Sequence, residues 1–499
     1  MANRNNLKQS APSKRKIIFV ASECVPYAKT GGLADVIGAL PKFIAGLGHT
    51  VDVVLPRYGR ISREGLHLVA PSLSISMGEN LKFCSVWQAN QQPVTGLSLY
   101  FIDCPEYFER EELYGDKAGD YKDNAQRFAM LSRAAIEFSK RSDEAPDIFH
   151  AHDWQAALVP ALLKTEYNGD WFFGKTCAVF TIHNMGYQGL FDSYALPAAG
   201  LPVHTFHSAG MEFYGQVNYL KGGIVYADAI TTVSKKYSQE IQTPEYGQGL
   251  DGVVRERAAD VHGILNGIDY SEWSPAIDPF IAQKYDPKNL EGKRDCKRDL
   301  LREFHMPEDL DRPLIGMISR LADQKGFDLV AQGIQELLAT NASFVVLGSG
   351  DTKYQQLLQR ISDLQPQRFG LRLAFDNKLA HKIEAGADIF LMPSRYEPCG
   401  LNQIYSLKYG TVPVVRATGG LDDTVEPFSS TTGEGTGFKF DDYTSSALLR
   451  SVREALDAFG QRETWNRLMR NGMARDFSWT ASAERYLQLY ETLLSRHAD

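Results

Sequence analysis

The sequence is poor in several features that would assign it to other classes of protein. Its 499 residues include six cysteines, scattered without a C-x-x-C pair, a usage typical of reduced thiols in a cytosolic compartment. No window approaches eighteen consecutive apolar residues, so the sequence predicts no membrane-spanning helix. The formal net charge of -8 disfavours a surface for nucleic acid or anionic lipid. Any phosphate that the protein binds must therefore be met by a local pocket.

The first sixteen residues, "MANRNNLKQSAPSKRK", contain no apolar stretch. A polar and basic segment of this kind is not a secretory signal. We therefore predict a flexible tail over residues 1–16 and a cytoplasmic protein. The alternative is a trimmed organellar transit peptide, which would place the protein in the plastid stroma.

Strand-like and helix-like segments alternate along the rest of the chain. Short β-branched runs such as "VDVVLP" (51–56) and "TCAVFTIH" (176–183) are separated by helical patterns such as "AQRFAMLSRAAIEFSK" (125–140). This order predicts parallel sheets with crossover helices. The regularity lapses after Ile268 and resumes at "PLIGMIS" (313–319), which indicates a linker near 270–290. We predict an α/β protein with two doubly wound Rossmann-like domains, at 17–280 and 281–478, followed by a C-terminal helix at 479–499.

The stretch "YAKTGGLADVIGALPK" (27–42) follows the first predicted strand and opens an amphipathic helix. A helix N-terminus offers backbone N–H groups and a partial positive charge, and glycine lets a ligand approach closely. Lys29, Gly31 and Gly32 therefore predict an anion site at the carboxyl edge of a parallel sheet. The stretch lacks G-x-G-x-x-G and is not a P-loop. The alternative is a tight turn with a solvated lysine.

Two further loops follow strands of the second series. "SRLADQKGFDLV" (319–330) brings Arg320 and Lys325 into one loop, which favours phosphate contact over plain surface charge. In "MPSRYEPCGLNQ" (392–403), Glu397 precedes a helix that we expect to begin near Gly400. A carboxylate there suits sugar hydroxyls as a hydrogen-bond acceptor. It could also be an ordinary acid favoured by the helix dipole.

Histidines end two strands of the first series, in "FHAHDW" (149–154) and "FTIHN" (180–184). His150 and His152 share a strand face and could form a metal pair, but no third ligand is evident near them in the sequence. His183 and Asn184 are better placed to contact substrate. All these polar groups fall at the ends of predicted strands, where parallel α/β sheets bind their ligands.

The motifs "KTGGLADV", "HAHDW", "TIHN", "ILNGID", "SRLADQKG", "PSRYEPCGLNQ" and "TGGLDDTV", in this order and spacing, resemble those of bacterial glycogen synthase and plant starch synthase. The resemblance covers residues 16–490. It implies a glycosyltransferase B-type fold with the active site in an interdomain cleft. It also implies transfer of glucose from ADP-glucose to the non-reducing end of an α-1,4-glucan, with retention of anomeric configuration.

The resemblance also implies roles for individual residues. Those matching the catalytic positions are His183 near the glucose 6-hydroxyl, Arg320 and Lys325 on the diphosphate, and Glu397 on the glucose 3- and 4-hydroxyls. Those matching donor-binding positions are Lys29, Gly31, Gly32, Asp153, Asn184, Asn266, Phe375, Cys399, Gly400, Leu401 and Asn402. Tyr114, in "YFEREELYGD" (107–116), matches an acceptor-side loop. Phe375 stands where tyrosine is expected to stack on adenine, and its ring can still stack.

The chemistry agrees with this assignment. The leaving group is a diphosphate, which fixed cations and a helix N-terminus can stabilise without a metal. The motifs quoted above contain no D-x-D sequence, which is the usual anchor of a divalent metal for nucleotide sugars. We therefore expect neither a metal nor any other cofactor. The expected partners are ADP-glucose or ADP and a malto-oligosaccharide or glucan, with neither nucleic acid nor membrane. The alternatives are a nucleotide-sugar epimerase of the same fold, which would need no acceptor loop, and an inactive glucan-binding or priming protein, which would not need Lys325, His183 and Glu397.

Overall fold

The computed structural model of the chain describes residues 14–497. The predicted tail therefore lies outside the described residues up to position 13, whereas Arg15 and Lys16 belong to the folded chain. Among the described residues, no helix is long and apolar enough to cross a bilayer.

Strands and helices alternate through the first half of the chain, as the sequence predicts. The strands are β1 (Lys16–Val20), β2 (Thr50–Pro56), β3 (Leu66–Met77), β4 (Asn80–Ala89), β5 (Leu97–Asp103), β6 (Gly115–Asp116), β7 (Gly119–Asp120), β8 (Ile148–His152), β9 (Cys177–Ile182), β10 (Leu190–Phe191), β11 (Glu212–Phe213), β12 (Gln216–Asn218), β13 (Ala229–Thr232) and β14 (Val261–Gly263). The helices are α1 (Gly32–Gly46), α2 (Pro105–Phe108), α3 (Asn124–Ser139), α4 (Asp153–Ala156), α5 (Leu158–Lys164), α6 (Ala195–Ala198), α7 (Tyr219–Tyr226), α8 (Lys235–Glu240) and α9 (Asp251–Glu256).

The second half repeats the alternation. Its strands are β15 (Leu314–Ile318), β16 (Ser343–Leu347), β17 (Phe369–Arg372), β18 (Ile389–Met392), β19 (Val412–Arg416) and β20 (Phe438–Phe440). Its helices are α10 (Glu291–Glu303), α11 (Phe327–Gln332), α12 (Ile334–Ala339), α13 (Thr352–Leu364), α14 (Asn377–Gly386), α15 (Asn402–Tyr409), α16 (Gly419–Thr424), α17 (Ser445–Phe459), α18 (Arg462–Met473) and α19 (Trp479–Arg496).

The chain divides into two compact units. Unit 1 comprises the chain up to Thr231, the segment Gly247–Val261 and the chain from Ala483 onward, and unit 2 comprises Thr232–Tyr246 and His262–Ser482. The irregular stretch at 270–290, predicted as a linker, therefore lies within unit 2. The last part of α19 belongs to unit 1, where the Tyr490 hydroxyl lies 2.7 Å from His150 Nδ1 and Arg15 pairs with Glu491 at 2.6 Å.

The larger sheet has nine strands in the order β14-β13-β9-β8-β1-β2-β5-β4-β3, and the strands from β3 to β9 lie wholly in unit 1. Its central pairs, from β9 to β5, are parallel. Every residue of β8 and β9 is buried, as expected for strands covered on both faces. Two small antiparallel sheets, β10-β12-β11 and β6-β7, complete the unit.

The larger sheet is parallel at its centre, as predicted, but at one edge β3 and β4 form a long antiparallel hairpin that was not predicted. β4 also pairs antiparallel with β5. Alternating apolar residues in "SLSISM" (72–77) and the positive φ of Gly78 at the turn (φ +63°) favour a hairpin. This pattern was available in the sequence.

Unit 2 contains a six-stranded sheet in the order β17-β16-β15-β18-β19-β20, with all neighbouring pairs parallel. The direction of the strand order reverses between β15 and β18. Open α/β sheets bind ligands outside the carboxyl ends of the strands at such a reversal. The loops that follow β15 and β18 are the two that carry Arg320, Lys325 and Glu397.

A buried carboxylate explains why the irregular stretch belongs to unit 2. Asp278 is 1% exposed and accepts hydrogen bonds from His381 Nδ1 at 2.7 Å, the Tyr409 hydroxyl at 2.5 Å and the Phe280 backbone N–H at 2.8 Å. Trp273 stacks on the His381 ring with the ring centroids 3.7 Å apart. The stretch thus lacks regular structure but is fixed by side-chain contacts.

We expect Asp278→Ala to lower the free energy of unfolding of unit 2 by about 2–4 kcal/mol, because two buried side-chain donors lose their acceptor. Urea unfolding followed by tryptophan fluorescence measures this change. Glu272→Ala is the control, since Glu272 is an exposed acid of the same stretch and its removal should change the stability by less than about 0.5 kcal/mol. Equal effects of the two substitutions would contradict the anchoring role of Asp278.

Candidate active site

A buried glutamate organises the glycine loop of unit 1. Glu23, three residues beyond β1 and 3% exposed, accepts the backbone N–H groups of Thr30 at 2.5 Å and Gly31 at 3.2 Å. It also accepts the Thr30 hydroxyl at 2.6 Å and the Tyr114 hydroxyl at 2.5 Å. The loop before α1 is therefore held by a carboxylate within the same unit.

This contact corrects part of the prediction for the glycine pair. Helix α1 begins at Gly32, with Gly31 as its N-cap, but the Gly31 N–H that was predicted to face an anion donates to Glu23. Lys29 lies on the same loop with 46% of its side chain exposed, and its Nζ is 2.6 Å from Asp35 Oδ1. The ammonium remains within reach of a ligand that displaces this exposed pairing.

Tyr114 is not free at its hydroxyl. Besides the bond to Glu23, the oxygen lies 2.8 Å from Ser22 Oγ, and burial raises the pKa of the phenol well above its ordinary value. Any contact of Tyr114 with a glucan would have to use its ring.

Asp153 ties together two strand ends of unit 1. It has a positive φ of +55°, rare for a residue with a side chain and typical of strained functional positions. Its carboxylate accepts the backbone N–H of His183 at 2.7 Å and that of Asn184. Burial raises the pKa of Asp153 to about 7, although these two N–H groups lower it. The structure therefore brings together Asp153, His183 and Asn184, three residues that the resemblance assigns to one pocket.

Three histidines form a row behind this point. His183 Nε2 lies 3.0 Å from His152 Nδ1, and the His150 and His152 rings are 4.2 Å apart. Burial lowers the pKa of all three rings, that of His183 to about 3. They are therefore neutral at physiological pH. His183, which the sequence did not place beside the "HAH" pair, is the third member.

Within the described residues, the ring nitrogens of the three histidines do not converge as the ligands of one metal ion would. Both nitrogens of His150 are engaged, Nε2 with Thr181 Oγ1 at 2.6 Å and Nδ1 with Tyr490. Within residues 14–497, the ligand atoms that do converge belong to Cys177, Asp228 and His497. Cys177 begins β9 and Asp228 precedes β13, so this group lies away from the carboxyl end of β9. The Lys164 ammonium, 2.6 Å from Asp228, already neutralises its carboxylate.

In unit 2 an ion pair joins the two loops at the reversal of the strand order. Lys325 Nζ lies 2.5 Å from Glu397 Oε2, with side chains that are 20% and 8% exposed, and Ser394 Oγ donates to the same oxygen at 3.2 Å. Arg320 is exposed and donates to Gln324 Oε1 at 3.0 Å. One of the two predicted phosphate cations, Lys325, is thus a direct neighbour of the predicted sugar acid.

Glycines allow the close packing of these loops. Gly326, directly after Lys325, has φ +78°, and a Cβ there would lie 2.0 Å from the Pro393 carbonyl oxygen. Gly420 donates its N–H to the carbonyls of Glu397 and Pro398, each at 3.1 Å, and a Cβ there would lie 1.9 Å from the Cys399 carbonyl oxygen. The "TGGL" motif of the sequence therefore supports the Glu397 loop.

The helix after Glu397 begins at Asn402, two residues later than predicted, with Leu401 as its N-cap. Gly400 adopts φ +69° and turns the chain into this helix. Asn402 Nδ2 donates to the Ile318 carbonyl at 2.7 Å, which fixes the helix start at the end of β15. The backbone of Gly400–Asn402 thus lies at the carboxyl end of β15, and Arg320 is in the loop that follows this strand.

The remaining predicted residues of unit 2 differ in exposure. Asn266 is 6% exposed, and its Oδ1 has no hydrogen-bond partner within the described part of the chain. Burial raises the pKa of the neighbouring Cys399 thiol to about 12, opposed by a bond from the Asn266 backbone N–H, so the thiol is neutral. Phe375 is 90% exposed, which leaves a ring face open for stacking.

Comparison with known proteins identifies the chain. Residues 16–256 match the family model described as the starch synthase catalytic domain, and residues 302–472 match glycosyl transferases group 1. A glycogen synthase of Koribacter versatilis is 55% identical over 95% of this chain and 97% of its own. Glycogen synthase 1 of Geobacter metallireducens is 47% identical over 97% of both chains.

Solved structures agree. The catalytic domain of starch synthase IV from Arabidopsis thaliana, bound to ADP and acarbose, matches 97% of this chain and 100% of its own with a TM-score of 0.87 and 34% identity. A sucrose-phosphate synthase from Thermosynechococcus elongatus shares the fold alone, with a TM-score of 0.59 and 16% identity over 97% of this chain and 100% of its own. Fold and site together define a glycosyltransferase of the B-type fold. Within that class, the chain belongs to the glycogen synthase and starch synthase family and is a glucosyltransferase.

Glu23 is the residue of this site that sequence reasoning missed, although an acid just beyond a buried strand and before a glycine loop was a visible signal. We expect Glu23→Ala to speed amide hydrogen exchange at Thr30 and Gly31 by about 10- to 100-fold, the scale of a hydrogen bond to a charged group. Mass spectrometry of the peptide that covers the loop measures this. Asp35→Ala is the matched control, because it removes an acid near Lys29 that does not bond these amides. An unchanged rate in Glu23→Ala would refute the role.

Proposed function

We propose that the protein transfers glucose from ADP-glucose to the non-reducing end of an α-1,4-glucan, with retention of the anomeric configuration. The observation that carries the proposal is the Lys325–Glu397 pair at the ends of adjacent strands. The pair places a cation that can bind a diphosphate beside a carboxylate that can bind a sugar. In a nucleotide sugar the diphosphate and the sugar are directly linked. Binding would therefore replace the Lys325–Glu397 ion pair by an ion pair between Lys325 and the diphosphate.

Unit 2 would bind the donor. Arg320 and Lys325 would contact the diphosphate, the backbone at Gly400–Asn402 its distal phosphate, and the open face of Phe375 the adenine. Because negative charge develops on the diphosphate as the glycosidic bond breaks, fixed donors at this point stabilise the transition state more than the ground state. Glu397 would accept hydrogen bonds from the glucose 3- and 4-hydroxyls.

The roles proposed for the other residues follow from the family resemblance. Lys29, with Gly31 and Gly32, would meet the donor's phosphate and sugar. His183 would contact the glucose 6-hydroxyl, and Asp153, Asn184, Asn266 and Cys399 would complete the donor pocket. Tyr114 would face the acceptor through its ring.

Retention without a carboxylate nucleophile favours a front-face reaction through an oxocarbenium-like state, in which the departing phosphate accepts the proton of the acceptor hydroxyl. Asp153 supports this scheme, because its carboxyl group is engaged by two backbone N–H groups and its pKa is raised to about 7. The two hydrogen bonds occupy lone pairs that a nucleophile would use, and a pKa near 7 leaves the group only partly ionised at neutral pH. A double displacement through another residue is the alternative.

We further propose a reaction that needs no metal or other cofactor and a cytoplasmic protein. The six free thiols support a cytoplasmic location. The two cations Arg320 and Lys325 support a reaction without a metal, because they can stabilise the charge of the leaving diphosphate.

Transfer of labelled glucose from ADP-glucose or UDP-glucose to glycogen, with and without EDTA, tests the function. We expect incorporation from ADP-glucose that exceeds incorporation from UDP-glucose and that EDTA leaves unchanged. The Lys325→Ala variant, purified in parallel, accounts for any contaminating host enzyme. Loss of activity in EDTA with recovery on adding magnesium or manganese would refute metal independence. Absence of transfer from either donor would favour the glucan-binding alternative.

Substitutions of the ion pair and of Arg320 should separate binding of the diphosphate from binding of the sugar. Arg320→Ala and Lys325→Ala should each lower kcat by roughly 10²–10³, the scale for one preorganised donor. Glu397→Ala should lower kcat with ADP-glucose but leave ADP binding at least as tight, because it frees Lys325. Steady-state kinetics and calorimetry with ADP measure these effects. Lys288→Ala, an exposed lysine of unit 2, is the control.

Two results would contradict these roles. A change confined to KM in the lysine and arginine variants would mean that they bind ground and transition states alike. Equal loss of ADP binding in Glu397→Ala would mean that the acid is structural.

A further inference from the structure

His152 contacts a proposed catalytic residue but has no place in the reaction described so far. It is 0% exposed at the end of β8, and its ring stacks on Phe19 with the centroids 5.3 Å apart and the planes 16° from parallel. Its Nδ1 lies 3.0 Å from Nε2 of His183. The next residue, Asp153, accepts the backbone N–H of His183. Two consecutive residues of one strand end therefore fix both the backbone and the ring of His183.

The hydrogen bond between the two rings can be formed in two ways. Both rings are neutral, since burial lowers the pKa of each, so a single proton lies between them. If His183 donated it from Nε2, His152 would carry its own proton on Nε2. If His152 donated from Nδ1, its Nε2 would be bare.

The surroundings of His152 distinguish the two forms. Its Nε2 is buried and has no hydrogen-bond partner within residues 14–497. A buried N–H group without an acceptor is rarer in proteins than an acceptor without a donor. The bare Nε2 is therefore favoured, and His152 donates through Nδ1.

We propose that His152 is a positioning residue that holds His183 in the tautomer protonated on Nδ1. With Nε2 occupied by His152, the ring of His183 has one polar atom left, and that atom is an N–H donor. His183 then recognises a lone pair, such as that of a sugar hydroxyl oxygen, and cannot accept a proton from it. This last consequence rests on the proposed function of His183, whereas the tautomer does not.

His150 provides a matched comparison. It lies on the same strand and the same face, is also 0% exposed, and its nitrogens bond to Thr181 and Tyr490. Replacing it removes a buried imidazole of the same strand without removing the contact to His183. His152→Asn is the conservative variant, because the asparagine amide can place an N–H near the position of the histidine Nδ1.

Nitrogen NMR of the whole protein labelled with ¹⁵N-histidine tests the proposal. The His183 signals are assigned by their absence from His183→Asn. We expect wild-type His183 to be protonated on Nδ1 with a bare Nε2. The His152→Leu variant should show a mixture of tautomers, and His152→Asn and His150→Leu should keep the wild-type form. Protonation of His183 on Nε2 in the wild type would overturn the proposal, and this result does not depend on the folding of any His152 variant.

Kinetics then distinguish the proposal from the proposed function. We expect His152→Leu to lower kcat for glucosyl transfer by about 10- to 100-fold, the cost of a misplaced contact. His152→Asn should recover most of this loss, and His150→Leu should not show it. If the tautomer changes in His152→Leu but kcat does not, the tautomer assignment stands and the role of His183 in the reaction falls. If kcat falls equally in His150→Leu and His152→Leu while the tautomer is unchanged, His152 is structural and the proposal falls.

Discussion

Backbone N–H groups that leave a buried parallel sheet at its carboxyl edge need acceptors, and in this protein buried carboxylates supply them. Glu23 accepts the amides of Thr30 and Gly31, and Asp153 accepts those of His183 and Asn184. Glu240, in unit 2, accepts the amide of Gly419 at 3.1 Å. Each acid holds the backbone of a segment that directly follows a strand, so these segments are fixed before any ligand arrives. This preorganisation is what electrostatic catalysis requires.

The same acids determine the charge of the site. The histidine row of unit 1 is neutral, and burial raises the pKa of Asp153 to about 7, so Asp153 is only partly ionised at physiological pH. The cations that could bind a diphosphate are instead exposed or paired with acids. Lys29 pairs with Asp35 and Lys325 pairs with Glu397, and a phosphate group could take the place of either acid. Exchange of one anionic partner for another avoids leaving a cation desolvated and unpaired.

The sequence was informative where local rules apply. Glycines 31 and 32 mark the start of α1, and the apolar runs mark the strands whose ends carry His183, Lys325 and Glu397. The β3–β4 hairpin, which was not predicted, also has a local signal in Gly78 and its alternating flanks. Local rules could not show that the irregular stretch around Asp278 belongs to unit 2, because its partners, His381 and Tyr409, lie more than a hundred residues away along the chain.

By itself, then, the sequence determined the family, the alternation of strands and helices and the strand ends at which the polar residues collect, because periodicity and motif order are properties of neighbouring residues. Only the tertiary structure decided the partners of those residues. It placed Glu23 under the glycine loop, Glu397 against Lys325, and His152 against His183. The physical reason is that hydrogen bonds and burial, which set protonation and charge, depend on residues that are close in space and distant along the chain.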